Sequence, residues 1–292
     1  MRVATHPGNF HADDVFAVAV LELVHGELEL VRTRDDETVA AADARVDIGG
    51  RSDAAAGDFD HHQRGGAGER ANGIRYASFG LVWREFGSQL AGGEDAATAI
   101  DERLVQGVDA NDTGQAVVAP IVEGVRPMTV SGVIGGLNRR WDEDLSPEAE
   151  RARFDAAVSL ARGIIERQVA SAAAGRRAVR IVEAAVGGAR DPRVIELERD
   201  VPWKEVVVTQ APDALFVVYP KRQGWGLEAV PRELGSFTNR RDLPEAWAGL
   251  DGPDLARLTG VDDALFAHAK RFLVVARSRE GIAALVEQAL AE

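Results

Sequence analysis

The chain has no cysteine. Disulfides, zinc-thiolate sites and cysteine nucleophiles are therefore excluded, and the composition suits a reducing compartment. Lysine is scarce, with three residues among 292, and the formal net charge is −13. That balance argues against a long non-specific track for nucleic acid, which needs a basic stripe. A Gly-x-Ser-x-Gly nucleophile elbow is also missing. No apolar run approaches the roughly 18 residues of a membrane-spanning helix. The first residues, MRVATHPGNF, have neither the basic flank nor the apolar run of a signal peptide. A soluble, cytoplasmic protein with no membrane partner is expected. With 46% hydrophobic residues, the chain has ample material for two domains or one large one.

The acidic excess is uneven: residues 1–146 carry 25 acidic and 13 basic side chains, residues 147–292 carry 22 and 21. Most of this suits a solvated surface, and a part placed in a pocket would be neutralised by divalent cations. Residues 1–5 read as a short buried strand. Val15, Phe16, Val18, Ala19, Val20, Leu23 and Val24 have helical spacing between Asp13 and His25, and Gly26 would stop that helix. A strand over 28–31, a short helix over 36–44 and a strand over 45–48 follow. This alternation predicts a doubly wound, mostly parallel sheet in an α/β fold. Residues 51–75 read as a loop, and helices are expected over 78–90 and 96–105 with a loop beyond. Ser146 as N-cap and Pro147 in the first turn open a long helix to about residue 174. Strand-like runs at 193–197, 206–208, 214–219, 226–230 and 271–275, then a helix over 280–290, predict a second, smaller α/β domain with a mixed or antiparallel sheet.

Four short clusters gather four of the six histidines and a series of aspartates within the first 114 residues. They are Thr5-His6-Pro7-Gly8-Asn9-Phe10-His11-Ala12-Asp13-Asp14, then Asp47-Ile48-Gly49-Gly50, then Asp60-His61-His62, then Asp109-Ala110-Asn111-Asp112-Thr113-Gly114. Each follows or ends an apolar stretch, where an open α/β sheet presents its strand ends. Carboxylate and imidazole hold hard-to-borderline divalent metals and leave positions open for water and substrate. Singly, each has an ordinary explanation: Asp13 suits a helix's first turn, Asp47 a Gly-Gly turn, Asp60-His61-His62 a solvated loop. Their order is what points to a two-metal hydrolase. In a loop, one of His61 and His62 can ligate metal while the other reaches substrate.

With these motifs the sequence resembles the DHH phosphoesterase superfamily, which includes family II inorganic pyrophosphatases and RecJ-type exonucleases. It is more similar still to the melanocyte-proliferating-gene family of metal-dependent hydrolases, described as 3′→5′ RNA exonucleases. Val31-Arg32-Thr33-Arg34-Asp35, Asp58-Phe59-Asp60-His61-His62-Gln63, Pro202-Trp203-Lys204-Glu205, Ser236-Phe237, Leu243-Pro244-Glu245-Ala246-Trp247 and Phe266-Ala267-His268 extend the resemblance over nearly the whole chain. It implies two divalent cations, Mn²⁺ favoured over Mg²⁺ by an additional imidazole at His11 where the wider superfamily has aspartate. His6, His11 and Asp47 would hold one cation. Asp13, Asp47, His61 and either Asp109 or Asp112 would hold the other, with Asp47 bridging. Asp47, Asp60 and His62 would be catalytic, His62 contacting the scissile phosphate.

The implied division is a metal-binding catalytic domain over 1–140, a linker and connecting helix over 141–175, and a substrate-binding α/β domain over 176–292. In that second domain Lys204, Arg222, Arg240 and His268 are candidates for substrate contact. Trp203, Trp225 and Trp247 equally suit core packing, and His268 equally suits a satisfied buried histidine. The expected activity is hydrolysis of phosphodiester bonds at the end of a short single-stranded RNA or oligonucleotide. A small phosphate ester or pyrophosphate is the alternative substrate, and a non-catalytic metal-containing regulatory protein is the alternative class. Oligomer formation stays open.

Overall fold

The chain opens with β1 (Arg2–Thr5), α1 (Ala12–His25), β2 (Glu29–Arg32), α2 (Asp36–Ala40) and β3 (Ala44–Val46). Next come β4 (Ser52–Asp53), β5 (Asp58–Phe59), α3 (Ser78–Ala91), α4 (Glu94–Ile100), α5 (Gln106–Asp112), α6 (Val130–Gly135) and α7 (Pro147–Gly187). This computed structural model describes residues 1–292 and divides into two units, Met1–Ala173 and Ala174–Glu292. The boundary falls inside α7.

In the first unit the strand order is β2-β1-β3-β5-β4, all neighbours parallel except β4 with β5. A parallel sheet needs both faces covered, and β1 shows how the sequence provides this. Val3 enters the main core with α1 and α3, while Ala4 packs with Val39 and Ala42 on the α2 side. Successive strand residues face opposite ways, so a short run of small apolar residues serves both layers. Helix α1 is buried from Ala12 to Leu21 and ends at Gly26, whose φ of 81° is left-handed.

The second unit contains β6 (Val194–Glu196), α8 (Lys204–Gln210), β7 (Phe216–Lys221), β8 (Gly224–Ala229), α9 (Gly252–Thr259), β9 (Ala264–Ala267), β10 (Leu273–Ala276) and α10 (Arg279–Ala291). Its sheet order is β6-β7-β8-β10-β9, with β6–β7 parallel and the other pairs antiparallel. Along β7, Phe216 and Val218 join one core while Val217 and Tyr219 join another. Both faces are therefore covered.

Several expectations are corrected. Residues 206–208 are helical, not extended: Val206 and Val207 are buried against Ile195 and Val217, and one-sided burial overrides the valines' strand preference. The 51–75 loop contains β4 and β5, two-residue strands too short to show periodicity. The helix over 96–105 does not end there. A π-helical turn over Asp101–Val105 carries it into α5, so Asp109 and Asp112 lie on a helix rather than in a loop. The long helix also runs past 174, through Gly175, to Gly187. No helix is long and apolar enough to cross a membrane.

Between β4 and β5 the chain turns at Gly57 with φ 75°, where a Cβ would collide with the Asp43 carbonyl oxygen. Gly57→Ala is expected to lower unfolding free energy by about 2–4 kcal/mol, from left-handed strain plus overpacking. Gly107→Ala, on exposed helix with open space at its Cβ, should instead gain about 0.4–1 kcal/mol. Denaturant melts of both variants check this, and equal stabilities would contradict it.

Candidate metal centre

The parallel pairing decides where the chemistry sits. Thr5 pairs with Val46, and Val46 with Phe59, so β1, β3 and β5 end in register. The residues that leave the sheet next are His6, Asp47 and Asp60, followed by His61 and His62. The chain runs outward from β1 to β2 and then crosses back to β3, so the switch point lies between β1 and β3, where open α/β sheets bind ligands. Asp47 itself adopts φ 56°, an uncommon left-handed conformation for a residue with a Cβ.

The β1–α1 loop is clamped. Arg32 Nη2 donates to Gly8 O at 2.8 Å, and Glu150 Oε1 accepts from both Gly8 N and Arg32 Nη1 at 2.8 Å. Asn138 Oδ1 accepts from Phe10 N at 2.9 Å while its Nδ2 donates to Phe10 O at 2.7 Å. These bonds fix the segment that carries His6 and His11.

The ligand atoms converge. His6 Nε2 lies 3.3 Å from Asp47 Oδ2. His61 Nε2 lies 3.2 Å from Asp47 Oδ1, 3.0 Å from Asp112 Oδ2 and 3.6 Å from Asp13 Oδ2. His11 Nδ1 stands 3.6 Å from Asp112 Oδ1. Three overlapping groups each bring their ligand atoms within 4.8 Å: His6, His11 and Asp47; Asp47, His61 and His62; His11, Asp13 and Asp112. Donor atoms around one small cation, with bonds of about 2.0–2.2 Å, stand roughly 3.0–3.5 Å apart.

Unpartnered atoms point the same way. His6 Nε2, His61 Nε2, Asp13 Oδ1 and Asp14 Oδ2 are buried without a hydrogen-bond partner, a costly state for polar groups. His6 Nδ1 faces Pro7 O at 3.1 Å, and a carbonyl only accepts, so Nδ1 carries the hydrogen and Nε2 is the nitrogen free to ligate. Burial acts to lower the basicity of His6, but the facing Asp14 and Asp47 carboxylates outweigh it and push the imidazole up to about 10. His61 rises to about 10 in the same way, through Asp112 and Asp47. Burial, followed by the charges of Asp47, Asp112 and Asp14, raises Asp13 well above the carboxylate range. For Asp47 burial works upward, yet His6 and His61 hold it far below that range. The carboxylates thus set up a negative potential that holds protons on the imidazoles and draws cations, and the donor set is that of a divalent-metal site.

The family model described as MYG1_exonuc, Uncharacterised protein family (UPF0160), matches residues 2–290. The chain belongs to this family. A protein named MYG1 exonuclease from Bos taurus is 32% identical over 328 residues, covering 100% of this chain and 85% of its own. The MYG1 exonuclease of Homo sapiens is 30% identical, with 100% and 86% covered. MYG1 protein YER156C of Saccharomyces cerevisiae is 28% identical, with 99% and 96% covered. Among solved structures, a pGpG-specific phosphodiesterase from Vibrio cholerae aligns over 99% of this chain and 97% of its own, with 14% identity and a TM-score of 0.34, too remote to carry an argument. As a member of the MYG1 family the protein is a hydrolase.

Asp109 and Asp112 part company in this family member. Three residues apart on a helix, the two carboxylates stand only about 60° apart around its axis, yet they meet different partners. Asp112 faces His61 and His11. Asp109 is fully buried, 2.9 Å from Arg70 Nη2, and accepts from Gly80 N at 2.9 Å. Burial pushes it up to about 7 against the pull of Arg70. It therefore anchors α3 and α5, and the last carboxylate at the cluster is Asp112.

Asp60 is buried and holds its neighbours: one oxygen accepts from Gly50 N at 2.6 Å, the other from His62 N at 3.1 Å and faces His62 Nδ1 at 2.9 Å. The His62 ring is more than half exposed. Beside His61 a cleft of about 310 Å³ opens, lined by Gly65, Gly66, Gly68, Arg75, Tyr76 and Thr113.

Of the four second-unit candidates, Arg240 is turned inward. Its guanidinium donates to the carbonyls of Val208, Ala211, Pro212 and Ala214 at 2.6–3.1 Å, satisfying the end of α8 and the turn beyond. Lys204 Nζ pairs with Glu228 Oε1 at 2.9 Å. His268 packs against Phe272 in a tilted ring contact at 4.4 Å, and its Nδ1 accepts from Lys270 N at 3.0 Å. Arg222 is exposed at the turn between β7 and β8.

Two residues at the cluster escaped the sequence reading. Ser78 donates from Oγ to Asp47 Oδ1 at 3.1 Å and from N to Asp13 Oδ2 at 3.2 Å, although at the start of an apolar helix it reads as ordinary capping. Asp14 faces His6, although beside Asp13 it reads as first-turn acidity.

The divergence on α5 has a measurable outcome. Asp109→Asn weakens the pairing of buried Arg70 and is expected to lower stability by about 2–4 kcal/mol. Asp112→Asn is expected to leave the melt in chelator near that of the wild type while weakening Mn²⁺ binding by calorimetry. Similar melting losses in both variants would contradict the assignment.

Proposed function

We propose that this protein is a phosphodiesterase that uses two divalent cations to remove nucleotides from the end of a short single-stranded RNA. The observation that carries the reading is the split of Asp47: its Oδ2 faces His6 and its Oδ1 faces His61. One carboxylate thus serves two imidazole-centred halves. His6, His11 and Asp47 would hold one cation, and Asp13, Asp47, His61 and Asp112 the other. Three imidazoles among these ligands favour Mn²⁺ over Mg²⁺, which prefers oxygen donors. When bound, the cations supply Lewis acidity, lowering the pKa of a water towards neutrality and offsetting charge on phosphoryl oxygens.

The remaining work belongs to the chain. Asp60 orients His62 through Nδ1, which leaves Nε2 of the exposed ring to meet the scissile phosphate. Asp60 is thus a positioning residue and His62 the group that touches substrate. Ser78 holds Asp47 Oδ1 and Asp13 in place by hydrogen bonds. The cleft beside His61 offers room for the nucleotide next to the cut bond, with Arg75 on its wall for a phosphate. The relatives named exonucleases support a nucleic-acid end as the substrate. A net charge of −13 with three lysines favours a short strand over a long one. In the second unit, Lys204 over Trp203 and exposed Arg222 are the side chains offered for backbone contact.

Asp47→Ala is expected to reduce Mn²⁺-supported nucleotide release at least about a thousandfold, roughly 4 kcal/mol of transition-state stabilisation, with its circular dichroism unchanged. Retention of activity within tenfold would rule out the shared carboxylate. Asp60→Asn is expected to lower kcat by about 10–100-fold while Mn²⁺ affinity is kept. A panel of single-stranded RNA, single-stranded DNA, dinucleotides and pyrophosphate fixes the substrate. Mononucleotides from one RNA end support the proposal, and cleavage of pyrophosphate alone would overturn it.

A further inference from the structure

We propose that Asp14 is an additional ligand of the cation held by His6, through its Oδ2; this rests on the metal-dependent reading above. Asp14 has no solvent exposure and sits in the first turn of α1. Its two oxygens have different surroundings. Oδ1 accepts from His11 N at 2.9 Å and Val15 N at 2.8 Å, which completes a capping box. Oδ2 has no hydrogen-bond partner and stands 3.4 Å from His6 Nε2, itself buried and unpartnered.

The distance discriminates between two explanations. An imidazolium donating to a carboxylate would close to about 2.7–2.9 Å, and 3.4 Å is too long for that bond. It falls within the roughly 3.0–3.5 Å that separates two donor atoms on one small cation. Asp47 Oδ2 stands 3.3 Å from the same nitrogen, so both carboxylates meet His6 at the same spacing.

Capping does not account for the second oxygen. One acceptor suffices at that position, and an asparagine could supply it. An anionic oxygen buried without a partner is costly unless a cation lies beside it. With Asp14 included, the half of the site around His6 has three buried donors, His6, Asp14 and Asp47. His11, which is exposed, has its ligand atom within 4.8 Å of those of His6 and Asp47.

Asp14→Asn tests this, because the amide oxygen preserves the cap while the anionic Oδ2 is lost. The full-length chain, stripped with chelator, is titrated calorimetrically with Mn²⁺, and the Co²⁺-loaded forms are compared by their visible absorption bands. Direct ligation predicts that one class of Mn²⁺ site weakens by more than about 100-fold, beyond the roughly 10–100-fold cost of losing an outer-shell partner. It also predicts a changed Co²⁺ spectrum and an apo-protein melt close to that of the wild type. Asp14→Ser, smaller and uncharged, gives the same measurement should the amide not be accommodated. A Mn²⁺ affinity reduced by less than 100-fold with an unaltered Co²⁺ spectrum overturns the proposal. If Asp47→Asn then still abolishes tight binding, only Asp14 is wrong. If the wild type itself binds no Mn²⁺, the metal-dependent reading falls, and this one with it.

Discussion

Asp13 and Asp14 are wholly buried, Asp47 is nearly so, and Asp112 joins them at the rim of one sheet. Negative charge held this close in a dry setting repels itself unless donors and cations surround it. The fold supplies part of the answer from its backbone. α1 and α3 both begin here, and their first-turn N–H groups reach Asp14 and Asp13. Ser78 adds a hydroxyl to Asp47. His6 and His61 supply the rest, and the carboxylates hold both imidazoles far more basic than free histidine. A proton on either nitrogen and a metal ion are alternative ways to meet one electrostatic demand, so metal affinity here is linked to proton release.

That demand explains the loop architecture. Side chains under mutual repulsion drift apart unless their backbone is fixed. The β1–α1 loop is fixed at Gly8 by Arg32 and Glu150 and at Phe10 by Asn138. Arg32 is also stacked 4.5 Å over Phe154, so a charged clamp is set into an aromatic wall. At Asp47 the left-handed backbone, followed by glycines at φ 100° and 67°, turns the carboxylate inward immediately after β3. Strain at that residue is offset by the hydrogen bonds and imidazoles that meet its side chain.

The second unit shows how a buried charge can be satisfied without a metal. Glu228 lies on β8 between Tyr219, whose hydroxyl donates to it, and Lys204 at 2.9 Å. Burial, and then the bond to Glu228, raise the Tyr219 hydroxyl well above the usual phenol range. This carboxylate has partners on both oxygens, in contrast with Asp14 and its single capped oxygen. The difference marks the rim of the first sheet, not the face of the second, as the place where an external cation is wanted.

Much of this was legible from the chain alone. The lack of cysteine, the order His6, Asp47, Asp60-His61-His62, and apolar runs ending at each of them fix the donor chemistry and the parallel α/β architecture, because strand ends and helix periods are local properties. What the sequence left open was decided by long-range geometry. The surroundings of Asp109 and Asp112 were one such case: a π-helical turn carries α4 into α5, and one carboxylate meets Arg70 while the other meets His61. Arg240, exposed by any composition argument, was drawn to carbonyls that only the folded α8 leaves unpaired. Ser78 and Asp14 were not among the candidates, because local spacing reports only backbone neighbours. Their partners lie 31 and 8 positions away and meet them only once β1 and β3 lie side by side and α1 and α3 begin at the same rim.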